Sequence, residues 1–142
     1  MCWKYRKLVR NLRNGIEAVC GRAASRGTIA ELTTAEAEHV LAVAGIDVVP
    51  LAEDDERRGS ILQTGPVAGS ARPGGSVWQS LTRGIGTVET DYLSGHIALL
   101  GRLHGVPTPV NSLVQRLAAE MANAGSAPAT VTEAEFLAML GS

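Results

Sequence analysis

The sequence predicts an all-α protein, and three features lead to that class. Its 142 residues read as one helical segment after another, and no segment shows the regular alternation of a half-buried strand. Glycine and proline stand where those helices would begin and end. Aromatic residues make up only 4% of the chain, so Leu, Val, Ile and Ala must fill the core, as in helices packed through aliphatic ridges.

The first half of the chain contains three predicted helices. The first covers about residues 4–20 and stops at Gly21, because glycine readily adopts the backbone conformation that ends a helix. The second follows residues 33–36, which have the spacing of a capping box, and ends at Gly45. Residues 53–63 are predicted to form the third helix.

The second half alternates loops with helices. We predict a Gly/Pro/Ser-rich loop at 65–75, followed by a short helix from about residue 76. A long helix is predicted at 89–103, with residues 104–105 marking its end. A helix at 109–122 and a final short helix after 132–135 complete the chain. Thr108 and Pro109 are a favourable N-cap and first helical residue. Thr132 and Glu135 have capping-box spacing, so they mark the start of the final helix.

Composition argues against several classes of protein. No apolar run approaches the roughly 20 residues that cross a bilayer, so we expect a soluble, cytoplasmic protein that does not contact membranes. No Cys/His cluster has metal-ligand spacing, so no metal site is expected. Cys2 and Cys20 would lie about 27 Å apart on one helix, too far to bridge, and are expected to be free thiols.

Basic residues are concentrated near the N-terminus, although the net charge is −1. Seven of the thirteen basic residues lie in the first 26 positions: Lys4, Arg6, Lys7, Arg10, Arg13, Arg22 and Arg26. A basic helix of this kind suits nucleic acid, an anionic ligand or plain solvent. Neither an aromatic platform nor a nucleic-acid-binding motif accompanies it, so we expect no nucleic-acid partner.

The first helix has three faces when its residues are placed 100° apart. The face predicted to contact the core carries Leu8, Val9, Leu12, Ile16 and Val19. The solvent face carries Arg10, Arg13 and Glu17, and the third face carries Lys4, Lys7, Asn11 and Asn14. Asparagine is a mediocre helix former because its side chain competes for backbone hydrogen bonds. Two asparagines beside lysines therefore indicate a hydrogen-bonding surface, either for a ligand or for neighbouring loops.

The long helix places two ionisable residues on an otherwise aliphatic stripe. That stripe contains Glu89, Leu93, His96, Leu100 and Leu103. Glu89 has two explanations: favourable placement near a helix N-terminus, or a carboxylate in a cleft whose pKa responds to desolvation and to a cation such as Lys7. We interpret His96 as a core histidine with its hydrogen bonds satisfied.

Four segments, in order, resemble the C-terminal domain of the ketopantoate reductase (2-dehydropantoate 2-reductase) family. The segment YRKLVRN at 5–11 is similar to the family's Trp-Arg-Lys-Leu-x-x-Asn, and SVWQSL at 76–81 is similar to its Ser-Met-x-Gln-Asp-Leu. The segment TVETDYLSG at 87–95 is similar to Thr-Glu-Ile-Asp-x-Ile-Asn-Gly, and HGVPTPVN at 104–111 is similar to His-Gly-Val-x-Thr-Pro-x-Asn. The resemblance spans roughly residues 4–120. It implies an all-α bundle of the 6-phosphogluconate dehydrogenase C-terminal type.

The resemblance also implies roles for individual residues. The family reduces the keto group of ketopantoate, a step of pantothenate biosynthesis, with hydride from NADPH, and such a reduction needs a positioned proton donor. Lys7 corresponds to that acid and Asn11 to a substrate-binding asparagine one turn later. Ser76 corresponds to a serine that contacts the substrate carboxylate, and Glu89 to a glutamate that bonds the substrate hydroxyl. The family's second asparagine would fall at Gly15, and Asn14 lies beside it as a further substrate-binding candidate.

Members of this family carry an N-terminal Rossmann domain ahead of the helical one. Only six residues precede Lys7, so we expect residues 1–142 to form a single helical substrate-binding domain with the Rossmann domain absent. The segment 84–89 lacks the third glycine and the preceding strand of a dinucleotide loop. NADPH is therefore expected for the full-length family, and no cofactor is expected to bind this chain alone.

The expected partners are a small 2-keto acid and either a Rossmann domain in trans or a second copy of the chain. Ser80 and Ser94 replace an aspartate and an asparagine of the family pattern, which leaves open which keto acid is bound. An alternative function is a stand-alone dimeric binding or regulatory module with no catalytic activity. A truncated gene and a natural single-domain protein also remain open.

Overall fold

The computed structural model describes residues 2–61 and 93–141, and within these two ranges the chain is helical without a strand. This confirms the predicted all-α class. Numbered in chain order over those ranges, the helices are α1 (Cys2–Asn11), α2 (Arg13–Cys20), α3 (Thr28–Val43), α4 (Leu51–Ile61), α5 (Ser94–His104), α6 (Pro109–Ala124) and α7 (Glu133–Gly141). The predicted loop at 65–75 and the short helix near residue 76 lie outside the described ranges.

The predicted first helix is present as α1 and α2, separated at Leu12. Leu12 keeps helical torsions (φ −56°, ψ −28°), and its N–H donates to the carbonyl of Leu8 at 3.1 Å. The two helices therefore follow each other with only a local irregularity. Gly21, at φ +97°, ends α2 as predicted.

The capping box predicted at residues 33–36 is wrong. Helix α3 begins five residues earlier, and the buried hydroxyl of Thr33 donates to the carbonyl of Ile29 at 2.6 Å, one turn back in the same helix. The buried side chains of Ile29 and Ala30 extend the apolar face of α3 towards its N-terminus, which accounts for the earlier start. The predicted end is confirmed, because Gly45 has a φ of +72° just after the helix.

Most of the remaining predicted helix ends agree with the structure, but the predicted start of the helix at 89–103 is wrong. Helix α5 begins at Ser94, because Leu93 before it has non-helical torsions (φ −99°, ψ −83°). Gly105, at φ +69°, ends α5, and α6 begins at Pro109 as expected, although it runs on to Ala124. At α7, the Thr132 N–H donates to the Glu135 carboxylate at 2.8 Å, and the Glu135 N–H donates to the Thr132 hydroxyl at 3.1 Å. This reciprocal pair confirms the second capping box.

Two apolar clusters hold the described helices together, and α1 with α2 contributes to both. Val9 and Leu12 pack with residues of α3 and α5, whereas Ile16 and Val19 pack with α6 and with Phe136 of α7. Four of the five residues predicted for the core face are thus buried, and Leu8 is half-buried. The first helix is held along its whole length by this burial, so its polar faces have defined directions. None of the described helices has the length and apolar character needed to span a membrane.

Candidate active site

The side of α1 and α2 that carries Lys7, Asn11 and Asn14 is called here the lysine–asparagine side. Lys7 is exposed, and both asparagines are half-buried. Within residues 2–61 and 93–141, no hydrogen bond or ion pair involves any of these three side chains. Their donors are therefore available to another molecule or to other parts of the chain.

The other two predicted site residues, Ser76 and Glu89, lie outside the described ranges. The interpretation of Glu89 as a carboxylate in a cleft near Lys7 therefore stays a prediction. His96, on the same predicted stripe as Glu89, is half-buried on α5, with its ring centroid 6.2 Å from that of Tyr5. This contact places the first turns of α5 beside the N-terminal half of α1.

A neighbouring side of α1, formed by Arg6 and Arg10 about 60–100° around the helix from Lys7 and called here the arginine side, is bonded to the rest of the fold. Arg6 donates from Nε to the Val49 carbonyl at 2.6 Å and from Nη1 to the Glu38 carboxylate at 3.0 Å. Arg10 binds Asp54 and Asp55 at the start of α4, with shortest distances of 2.5 and 2.6 Å. The prediction that Arg10 lies on a solvent face is wrong, because α4 packs over that part of the helix.

Two groups on this helix pair, Arg10 and Cys20, have pKa values shifted by their surroundings. The pKa of Arg10 is raised, chiefly by its hydrogen bond to Asp55, with desolvation opposing and Asp54 adding to the rise. Burial raises the pKa of the Cys20 thiol to about 11, and the nearby charges of Glu133 and Glu135 act in the same direction. Cys20 is a free thiol, as predicted, and it is protonated and weakly nucleophilic at neutral pH.

Glu36 has a role that sequence reasoning did not find. Its carboxylate accepts hydrogen bonds from the backbone N–H groups of Val110 (3.0 Å) and Asn111 (2.8 Å), and from the side-chain amide of Asn111 (2.9 Å). It thus caps the N-terminus of α6, where a negative charge is favoured. The contact joins residues 75 positions apart, which a local motif cannot reveal.

Three cavities, one beside α3, one between α6 and α7 and one beside α1, are lined by residues other than Lys7, Asn11 and Asn14. The largest of these three is an open groove of about 770 Å³ beside α3, with Arg6, Glu38 and Asp47 in its lining. In the described part of the chain, no group of three or more His, Cys, Asp or Glu side chains could hold a metal ion.

The fold and this surface define a class of protein: an all-α domain whose first helix is bonded to the fold on one side and presents lysine and asparagine on a neighbouring side. Residues 2–122 match the family model described as "Ketopantoate reductase PanE/ApbA C terminal", and the chain belongs to that family. The match agrees with the resemblance inferred over residues 4–120. Helix α7 lies beyond the matched residues, yet its Phe136 is fully buried in the core.

A solved structure gives the same result. The chain is similar to a PanE/ApbA family ketopantoate reductase from Ralstonia eutropha JMP134, with a TM-score of 0.64 and 25% sequence identity over 85% of this chain. The similarity covers 41% of that relative, so this chain spans about two fifths of its length. No curated protein matches this chain.

Proposed function

We propose that this chain forms the substrate-binding side of an NADPH-dependent cytoplasmic reductase of a small 2-keto acid. Family membership supports this reaction class, and the lysine–asparagine side supports the location of the site. The observation that carries the proposal is a contrast along α1 and α2: Arg6 and Arg10 are bonded to the fold, whereas Lys7, Asn11 and Asn14 have no partner among the described residues. The contacts within residues 2–61 and 93–141 do not account for three hydrogen-bonding side chains on one stripe.

In the proposed reaction Lys7 is the general acid. When hydride adds to the carbonyl carbon, the carbonyl oxygen gains a negative charge, and the Lys7 ammonium donates a proton to it. The amides of Asn11 and Asn14 would donate hydrogen bonds to the substrate and hold it beside the ammonium. We further propose that Ser76 binds the substrate carboxylate and that Glu89 bonds a substrate hydroxyl.

NADPH supplies the hydride in this scheme, and we assign none of its binding residues to this chain. A dinucleotide is usually held where a strand turns through a glycine-rich loop into a helix, so that backbone N–H groups meet the pyrophosphate. The described residues are helices joined by short turns and do not fit that arrangement. We propose that a separate Rossmann domain holds the cofactor, and that this domain or a second copy of the chain is the partner.

The test fuses this chain to the Rossmann domain of a family relative and follows NADPH oxidation with a series of 2-keto acids. Lys7→Ala should lower turnover by about 100-fold or more, because a positioned general acid contributes at least that factor. Arg13→Ala is the matched control, since Arg13 is an exposed cation at the start of α2, and its turnover should not change. Near-wild-type turnover of the Lys7→Ala fusion would exclude Lys7 as the acid.

A further inference from the structure

Arg6, the residue immediately before Lys7, is buried to an unusual degree for a charged side chain. It is 4% exposed, and arginine is seldom so buried unless its charge is paired. Its guanidinium donates in two directions, to the Val49 carbonyl and to the Glu38 carboxylate of α3. Both partners lie more than 30 positions away in sequence, so these bonds tie α1 to distant parts of the fold.

Arg10 adds a second attachment one turn further along the same side of α1. It joins the helix to Asp54 and Asp55 of α4. Two attachments on one side resist rotation of the helix about its own axis more than apolar packing does, because hydrogen bonds are directional. The direction in which Lys7 leaves the helix therefore depends on the arginine side.

The geometry shows how sensitive Lys7 is to such a rotation. Consecutive side chains leave a helix about 100° apart, so the direction of Lys7 follows from that of Arg6. A turn of about 10° moves a group about 6 Å from the helix axis by about 1 Å. A misplacement of about 1 Å can cost about 100-fold in rate. A small loosening of Arg6 is thus enough to affect a proton transfer from Lys7.

We propose that Arg6 is a positioning residue that sets the orientation of Lys7 through its bonds to Val49 and Glu38. This inference rests on the proposed function, because it assumes that Lys7 is the acid. Arginine suits the task and lysine does not: the planar guanidinium makes both bonds at once in fixed directions, whereas an ammonium on a flexible chain acts as a single point charge.

The test is a double-mutant cycle in the fusion enzyme, with Arg6→Met, Lys7→Ala and the combination of the two. Turnover is expressed per folded molecule, with the folded fraction measured by circular dichroism. Arg6→Met should lower kcat by about 10-fold in the wild-type background, within the range expected for misplacement. In the Lys7→Ala background it should change kcat by less than about 2-fold, because effects through one group are not additive.

Two further variants keep the test informative. Arg6→Lys should recover only part of the lost turnover, since one of the two bonds is missing. Glu38→Gln leaves Arg6 and its bond to Val49 in place, so it should fold even if Arg6→Met does not. Its kcat should fall by about 2- to 3-fold, again only when Lys7 is present. Arg22→Met, at an exposed cation beyond the end of α2, is the control and should leave kcat unchanged.

The outcomes separate this inference from the proposed function. If Lys7→Ala abolishes turnover while Arg6→Met and Glu38→Gln leave kcat per folded molecule unchanged, or lower it equally in both backgrounds, Arg6 is only structural and the inference is overturned. If Lys7→Ala itself has no effect, the proposed function fails, and the positioning role falls with it. Non-additive losses at Arg6 and Glu38 support both.

Discussion

The two polar sides of α1 differ in what they bond, although both consist of hydrogen-bonding residues. The arginine side makes ion pairs or hydrogen bonds to α3, to Val49 and to α4. The lysine–asparagine side makes none within the described ranges. Charge and polarity alone do not distinguish the two sides. The distinction lies in the partners: one side is bonded to the fold, and we propose that the other binds a ligand.

The comparison also changes how the basic N-terminal segment should be interpreted. Three of its cations are paired with carboxylates. Arg6 pairs with Glu38, Arg10 with Asp54 and Asp55, and Arg22 with Glu17. A count of basic residues therefore overstates the positive charge that this segment presents to an outside partner. The proposed site has an exposed cation, Lys7, beside two amides, and this favours our proposal of a small anionic substrate over an extended polyanion.

The largest effect that should distinguish the two sides is the loss of folding stability when Arg6 is replaced. Arg6→Met should lower the free energy of unfolding by about 2 kcal/mol, because the Val49 carbonyl loses its hydrogen bond while the half-exposed Glu38 returns to solvent. Urea denaturation of the 142-residue chain measures it. Arg13→Met, which removes an exposed cation, should stay within about 0.5 kcal/mol of wild type. Equal effects at both positions would contradict an anchoring role for Arg6.

A smaller effect is expected at the outer edge of the arginine side. Asp55 is 58% exposed, and its pair with Arg10 should contribute less than about 1 kcal/mol. Asp55→Asn should lower stability by that amount in dilute buffer, and the difference should nearly vanish at about 1 M salt, where charges are screened within about 3 Å. The Arg6→Met loss should persist at high salt. Because the pKa of Arg10 is raised, its own contribution is lost only at strongly alkaline pH.

The sequence predicted the fold class and most helix ends because these depend on local patterns. Gly21, Gly45 and Gly105 all follow helices in left-handed or related backbone conformations. Of the two capping boxes, the one at Thr132 is real and the one at Thr33 is not, although the spacing is the same. Tertiary contacts explain why the two sites differ. Glu36 bonds the N-terminus of α6 instead of its own helix, and the burial of Ile29 extends α3 to residues before Thr33.

The candidate site was predictable in part for the same reason. The stripe of Lys7, Asn11 and Asn14 follows from helical periodicity, and their proposed roles follow from the family resemblance. The partners of Arg6 and Arg10 were not predictable, since they lie 32 to 45 residues away along the chain. A pattern within one helix shows which residues share a face, but it does not show which other helix packs against that face.

The smallest expected effects are at Asn11 and Asn14, and they test the comparison most directly. If these asparagines are kept for a ligand, the fold gains nothing from them, and alanine should be equal or better because it is the stronger helix former. Asn11→Ala and Asn14→Ala should therefore leave the free energy of unfolding unchanged or raise it by up to about 0.7 kcal/mol. Urea denaturation measures both variants. Asn111→Ala is the control, because the fully buried Asn111 bonds Thr33 and Glu36. That variant should lower the free energy of unfolding by about 1–3 kcal/mol. A loss of 1 kcal/mol or more at Asn11 or Asn14 would mean that the side chain bonds a neighbouring loop, and the lysine–asparagine side would then belong to the fold as the arginine side does.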